Sequence, residues 1–166
     1  LEFARANPDR LSYASQGSGS TAHLTAELFK LKTGLQIAHV PYKGDAPAVS
    51  DLLAGHVQVM FGNVAAGLNH VRNGKLKALA TTGPKRSALA PELPTMIEAG
   101  VPGFEMSAWY MVFAPRKTPP EVIEKLAALG SEAQGNTPVQ FSEFLSRETA
   151  KWTDVMQKAN IKVTGE

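Results

Sequence analysis

A loop rich in glycine and hydroxyl side chains, between a short apolar strand and a helix, is the most suggestive feature of the sequence. Gly17 and Gly19 let the backbone approach a ligand closely, and Ser18, Ser20 and Thr21 supply hydroxyl donors. The loop leads into a predicted helix N-terminus, where free N–H groups and the positive end of the helix dipole favour an anion. Ser20 is also suited to cap the helix, so these donors serve either the cap alone or the cap together with a bound anion.

The same loop also allows a second interpretation. Residues 17–22 fit G-x-G-x-x-A after a strand, the fingerprint of a dinucleotide-binding domain. That fingerprint expects an acidic residue near the end of the second strand, to hold a ribose hydroxyl. Tyr42 and Lys43 stand there instead, and Asp45 follows later inside the loop. A nucleotide-dependent oxidoreductase domain built around the two glycines is therefore the alternative to an anion receptor.

Two further strand-to-helix loops are expected at the same edge, because ligands of open parallel sheets lie beyond the carboxyl ends of the strands. One supplies Tyr42, as a hydroxyl or a flat wall, and Lys43 as a cation, while the other supplies Asn63, whose amide can donate and accept. His23 lies on the first helical turn and is expected to face the cleft or solvent. We find no nucleophile elbow, no paired acid and base and no metal-ligand spacing. The edge is typical of an anion receptor rather than a catalyst.

An alternation of short apolar strands and helices positions these loops. Strands are predicted over residues 11–15, 35–40, 57–61, 76–81, 104–114 and 161–163, and helices over 21–33, 47–54, 65–73, 95–98 and 138–160, with a further helix start at 118. Helical crossovers between strands imply an α/β fold with a mostly parallel sheet. We place a boundary at Ala114, so that residues 1–10 end a linker or helix, 11–113 form an α/β lobe and 114–166 form a helical segment.

The composition excludes several classes of protein. With 43% hydrophobic and 19% charged residues among 166, the chain is neither disordered nor fibrous. The 17 Lys and Arg against 15 Asp and Glu give a net charge of +2, without the basic patch of a nucleic-acid binder. No apolar run approaches the roughly 18 residues of a membrane helix. Because the chain has no cysteine, disulfide scaffolds and thiolate chemistry are excluded.

Several segments together resemble a known family. They are LSYASQGSGSTAHL (11–24), HVPYKGDAPAV (39–49), VQVMFGN (57–63), GKLKALA (74–80) and PTMIEAGVPGF (94–104). In this order and at these separations they resemble the Bug family, the extracytoplasmic solute receptors of tripartite tricarboxylate transporters. The resemblance implies a two-lobed periplasmic clamshell that binds a small carboxylate, delivers it to a membrane permease, uses no cofactor or metal and catalyses nothing.

The resemblance also implies a set of ligand-binding residues. Carboxylate binding is expected from Ser15, Gly17, Ser18, Gly19, Ser20 and Thr21, with His23, Tyr42, Lys43 and Asn63 near the cleft. The family's first lobe would precede Leu1, and relatives carry a further helical stretch near Leu126. We therefore expect an excised or processed piece with one complete lobe of the periplasmic-binding-protein type and the C-terminal helices of an incomplete second lobe. The helix 138–160 is expected to pack back onto this lobe or to form a homo-oligomer.

Overall fold

The computed structural model describes residues 1–108, 115, 117–122, 125 and 138–161 of the chain. The chain divides into two units, residues 1–108 with 154–166, and residues 109–153. Parts of the predicted strands 104–114 and 161–163, the predicted boundary at Ala114 and the shortening near Leu126 lie outside the described residues. The first unit contains the parallel sheet and all three loops that the sequence singles out.

A strand whose last three residues are buried forms the centre of the sheet. The strands are β1 (Ser12–Ser15), β2 (Ala38–Pro41) and β3 (Val59–Met60), in the order β2-β1-β3 with both pairings parallel. Tyr13 and Ala14 of β1 are both 0% exposed. A central strand that is buried on both faces requires helices on both sides of the sheet, as in other parallel sheets. The predicted α/β class with a mostly parallel sheet is confirmed.

Helices α2 and α3 lie on opposite faces of the sheet. The described residues include the helices α1 (Glu2–Ala6), α2 (Thr21–Thr33), α3 (Asp45–Ala54), α4 (Val64–Arg72) and α5 (Pro138–Lys158), and a 3-10 turn at Pro8–Arg10. On one face Tyr13 packs in a cluster with Ala26 of α2, and on the other Ala14 packs with Ala48 of α3. Because successive side chains of a strand point to opposite faces, adjacent residues of β1 anchor the two helical layers.

Helix α2 forms over the predicted residues because both of its ends carry strong local signals. At its start the N–H of His23 donates to Ser20 Oγ, which caps the first turn. At its end Gly34 has a φ of 71°, and its N–H donates to the carbonyl of Lys30 at 2.8 Å. A left-handed residue after the last turn is a common helix stop, and glycine adopts it without strain.

Helix α3 begins at Asp45 and not at Pro47 as predicted. Gly44, at φ 109°, turns the chain so that the helix can begin one residue later. Pro47 then occupies the third helical position, where the N–H that proline lacks would have no partner within the helix. Asp45 places a negative charge in the first turn, which the helix dipole favours.

Four predicted strands are shorter than expected or do not form among the described residues. β2 begins at Ala38 rather than Leu35, and β3 contains two of the five predicted residues. Residues 76–81 do not form the predicted fourth strand, because only Thr81 pairs, in an isolated bridge with Thr95. The described residues 104–108 form no strand either. An apolar run becomes a strand only where a neighbouring strand completes its hydrogen bonds, and no strand of the described residues pairs with these runs.

The capping pattern at Thr95 forms, but the predicted helix does not. The N–H of Thr95 donates to Glu98 Oε2 at 2.7 Å, and the N–H of Glu98 donates to Thr95 Oγ1 at 3.2 Å. These are the two reciprocal bonds of a capping box. The segment remains a turn because Gly100, at φ 93°, reverses the chain before a second helical turn can form.

Two glycine substitutions should change stability in opposite directions. Gly34→Ala should lower the free energy of unfolding by about 1–2 kcal/mol, because a Cβ strains the left-handed conformation. Gly67→Ala, inside α4 with open space around the new Cβ, should raise it by about 0.5–1 kcal/mol. Urea unfolding measures both, and a loss of stability in Gly67→Ala would contradict the helix assignment.

Candidate ligand-binding site

Parallel pairing brings the three loops to one edge of the sheet. The first loop follows β1, the second follows β2 and the third follows β3. Backbone hydrogen bonds continue beyond the strands, from the N–H of Tyr42 to the carbonyl of Ser15 at 3.0 Å and from the N–H of Gly44 to the carbonyl of Gln16 at 3.2 Å. The first and second loops are therefore joined as extensions of the sheet.

Three amides of the first loop are already used inside the protein. The N–H of Gly17 donates to Ser15 Oγ at 3.2 Å, that of Gly19 to His23 Nδ1 at 3.0 Å, and that of Ser20 to the carbonyl of Gly17 at 3.2 Å. These bonds hold the loop in one conformation. The N–H groups they occupy are not the first ones that a ligand would use.

Three other amides at this turn have no acceptor among the described residues. They are the N–H groups of Ser18, Thr21 and Ala22, of which the last two open helix α2. Ser18, Gly19 and Thr21 are exposed. The loop therefore divides its donors between maintaining its own shape and offering N–H groups at a helix N-terminus, where an anion is stabilised.

Gly17 is required by the close approach of the first and second loops. Its φ is 141°, and a Cβ at this position would lie 3.3 Å from the carbonyl oxygen of Tyr42. A side chain would strain the backbone and push the loops apart. Gly19, at φ 75°, has open space around it and serves only to turn the chain.

Ser15 lies beneath the loop. It is 0% exposed, and its Oγ lies 2.7 Å from His39 Nε2, 3.2 Å from the N–H of Gly17 and 3.1 Å from the carbonyl of Gly17. A hydroxyl has one hydrogen and two lone pairs. If the hydroxyl of Ser15 donates to the carbonyl of Gly17 and accepts from His39 Nε2 and from the N–H of Gly17, its hydrogen and both lone pairs are used. Ser15 therefore supports the loop from within the protein.

His23 is buried, and this corrects the expectation that it faces the cleft or solvent. It is 8% exposed, and its ring stacks on His39 with centroids 4.0 Å apart and planes 15° apart. The other face of His39 stacks on Tyr13, with centroids 4.7 Å apart. The sequence places His23 on the inner side of the first turn of α2, which it shares with the buried residues Ala26 and Glu27.

The stacked rings are kept uncharged by their surroundings. Burial lowers the pKa of His39 to about 4, and the adjacent His23 contributes to that shift. Burial also lowers the pKa of His23. The hydroxyl of Tyr13 donates to Glu27 Oε1 at 2.8 Å, an oxygen that Lys30 Nζ also contacts at 2.8 Å. Burial and this carboxylate raise the pKa of Tyr13, so the phenol stays protonated.

The second loop contributes one free cation and one committed hydroxyl. The hydroxyl of Tyr42 donates to Asp51 Oδ2 at 2.7 Å, which raises the pKa of Tyr42 and lowers that of Asp51. Tyr42 thereby fastens the loop to α3. Lys43 is exposed and has no ion-pair or hydrogen-bond partner in the part of the chain that the structure describes.

Asp45 ties the three loops together, and the sequence analysis did not assign it this role. Its Oδ1 accepts from Gln16 Nε2 at 2.7 Å, and its Oδ2 accepts from Asn63 Nδ2 at 3.0 Å. Asn63 precedes α4, but its side chain bonds to Asp45 instead of capping that helix. An acidic residue in the first turn of a helix is a common feature, so the sequence carried no specific signal for this bridge.

Among the described residues, no group of three or more His, Cys, Asp or Glu side chains could hold a metal ion. Nor does any described helix combine the length and apolar character of a membrane span. What the edge offers is backbone N–H groups, hydroxyls and one lysine. Ligands of open parallel α/β sheets bind beyond the carboxyl ends of the strands, which is where these donors lie.

The sequence model of the tripartite tricarboxylate transporter family receptors matches residues 1–161, and the chain belongs to this family. It is 40% identical to the protein BugT of Bordetella pertussis over an alignment 176 residues long, gaps included. The alignment covers 96% of this chain and 54% of BugT. The chain thus spans about half the length of the curated relatives it matches. The resemblance to the Bug family is confirmed.

Solved structures agree with this assignment. The Rpa4515 protein of R. palustris with adipate matches at a TM-score of 0.76 and 36% identity, over 96% of this chain and 59% of that chain. MatC of Rhodopseudomonas palustris with bound malate matches at a TM-score of 0.68 and 28% identity, over 93% of this chain and 59% of that one. The neighbours have the periplasmic-binding-protein fold, which confirms the predicted fold class. The family is one of solute receptors and not of enzymes, which excludes the oxidoreductase alternative.

Removing the Asp45 carboxylate should loosen the edge. Asp45→Ala leaves Gln16 Nε2 and Asn63 Nδ2 without their acceptor and should lower the free energy of unfolding by about 1 kcal/mol. Hydrogen exchange of the first loop should become faster. Ser50→Ala, in the same helix, removes only a bond to the carbonyl of Ala46 and is the control. Equal effects of the two substitutions would contradict the bridging role.

Proposed function

We propose that this chain is part of an extracytoplasmic receptor that binds a small organic carboxylate. The observation that carries the proposal is the group of N–H donors at Ser18, Thr21 and Ala22, which have no acceptor among the described residues and lie at the start of α2. Membership of a receptor family and relatives with bound adipate and malate support the same ligand class. A carboxylate accepts hydrogen bonds and carries the charge that a helix N-terminus favours.

Each residue of the edge then has a distinct role. One carboxylate of the ligand accepts from the amides of Ser18, Thr21 and Ala22, with help from the two exposed hydroxyls. Lys43 supplies a positive charge from the second loop. Gly17, Gly19 and Ser20 give the loop its shape, and Ser15 and His23 support it from below. Tyr42 and Asn63 position their loops through Asp51 and Asp45.

The chain alone should bind weakly. Three charge-assisted hydrogen bonds at about 1.5–3 kcal/mol each give about 5–9 kcal/mol before costs. Association itself costs an estimated 4–15 kcal/mol, roughly the same amount. The chain covers 59% of its solved relatives, so this sum includes only the contacts of the described edge. We expect a millimolar dissociation constant for this chain.

The whole receptor would act in the periplasm and deliver its ligand to the membrane permease of a tripartite transporter. Family membership and periplasmic relatives support this location and partner. Nucleic acid is not an expected partner, because the net charge is only +2 and its charges are scattered. Homo-oligomer formation through α5, whose Val139 and Leu145 are exposed, stays a prediction without support from the relatives.

Binding can be followed residue by residue at millimolar affinity. Titration with adipate or malate should shift the amide resonances of Ser18, Thr21 and Ala22 in a saturable manner. The uncharged diamide of adipic acid should not shift them, because it lacks the negative charge. Chemical-shift changes that depend on ionic strength alone, or that occur at amides throughout the chain, would contradict the proposed site.

One donor can be removed without disturbing the helix. Thr21→Pro deletes the N–H of the first helical residue, a position where proline is favoured, and Ser20 at φ −66° and ψ 161° already has the backbone that precedes a proline. The affinity for the carboxylate should fall about tenfold, because the variant lacks one charge-assisted hydrogen bond. Thr21→Ala keeps the N–H and is the matched control. Equal affinities of the two variants would exclude this amide as a ligand donor.

A further inference from the structure

We propose that His23 is a positioning residue of the first loop, and that it holds Gly19 in place only while its imidazole is neutral. Acidification then releases the loop. The inference concerns regulation of the proposed ligand site, but it rests on contacts present without any ligand. It can therefore fail or succeed independently of carboxylate binding.

The hydrogen bond between Gly19 and His23 sets the protonation state that the loop needs. The N–H of Gly19 donates to His23 Nδ1 at 3.0 Å, so Nδ1 must be an acceptor and the ring hydrogen lies on Nε2. A protonated imidazole carries hydrogen on both nitrogens. Protonation would place Nδ1–H against the N–H of Gly19, and the bond would be lost.

Stacking keeps the His23 ring in the position that this bond requires. Its face lies against His39, and His39 lies against Tyr13, in nearly parallel planes. His39 is itself tied to Ser15 Oγ at 2.7 Å, the same hydroxyl that accepts from the N–H of Gly17. His23 therefore contacts the loop directly at Gly19, and His39 is linked to it through the hydroxyl of Ser15 beneath Gly17.

The charged groups around the pair act in both directions. On α2 itself, Glu27 favours a protonated His23 and Lys30 opposes it. The Glu27 carboxylate already accepts from Tyr13 of β1 and from Lys30, which limits its effect on the imidazole. His39 of β2 lies 4.0 Å from His23 between ring centroids, so the two rings resist carrying charge at the same time.

The direction of the pH effect follows from burial. Because the pKa of both imidazoles is lowered in the folded protein, the unfolded chain takes up these protons first. The free energy of unfolding should be constant above about pH 6.5, the ordinary pKa of histidine, and should fall as the pH approaches the value of about 4 for His39. The loop is thus ordered at neutral pH and released by acid.

The test follows Gly19 and His23 together by NMR in the ligand-free chain. The Gly19 amide shift should change with the same midpoint as the His23 ring, and protection of that amide from hydrogen exchange, relative to intrinsic rates, should fall by about tenfold. A Gly19 resonance that stays constant while His23 titrates would overturn the proposal, and this result needs no variant.

Two substitutions at position 23 separate positioning from mere packing. His23→Asn offers a side-chain oxygen near the place of Nδ1 and cannot be protonated, so Gly19 should stay protected at every pH. His23→Phe keeps a stacking ring without an acceptor, so Gly19 should lose protection even at neutral pH. His56→Asn, at an exposed histidine beside Asp51, is the control and should leave the Gly19 titration unchanged. An acid-dependent loss of protection in His23→Asn would also overturn the inference.

Discussion

The parallel pairing of one buried strand with both of its neighbours is the constraint on which the rest of this structure depends. Tyr13 and Ala14 are inaccessible on opposite faces of β1, so a slip of one residue would move each of these side chains to the opposite face of the sheet and disrupt both core clusters. With the register set in this way, three strands end at one edge. Their loops meet there because the connections between the strands are helical crossovers.

The edge is ordered before any ligand arrives, because polar groups inside the protein hold it. The hydroxyl of Ser15 and the ring of His23 occupy the amides of Gly17 and Gly19, while Asp45 joins the first loop to the third. Each of these bonds occupies a donor that a ligand could use. Each also orders the loop in advance, which reduces the conformational entropy that the loop loses when a ligand binds. The remaining amides would then need little rearrangement to meet the proposed carboxylate.

The sequence predicted those features of the fold that depend on neighbouring residues. The bounds of helix α2 agree with the prediction because Ser20 and Gly34 are local signals at its two ends, and its glycine- and hydroxyl-rich entry loop lies where the sequence predicted it. Residues 76–81 do not form the predicted strand, because a strand needs a neighbouring strand as hydrogen-bonding partner. A local sequence pattern does not reveal whether such a partner is present. The capping box at Thr95 formed without its helix, since a cap starts a helix but does not sustain one.

The site was predictable only in outline, for a related reason. Its glycines, serines and Lys43 are visible as residue types, but the contacts that give them roles join distant parts of the chain. Asp45 reaches Gln16 across 29 positions, and Ser15 reaches His39 across 24. No spacing rule covers such pairs, because they result from the order β2-β1-β3 and not from local sequence.

The division between used and unused donors has a structural origin inside one unit of the chain. A loop shaped only by a ligand would lose its order in the ligand-free protein. Here the shaping bonds come from β1, β2 and α2, all within the first unit of the chain. The unused donors should therefore keep the same geometry with and without a ligand, so that a bound ligand adds contacts without having to reorder the loop.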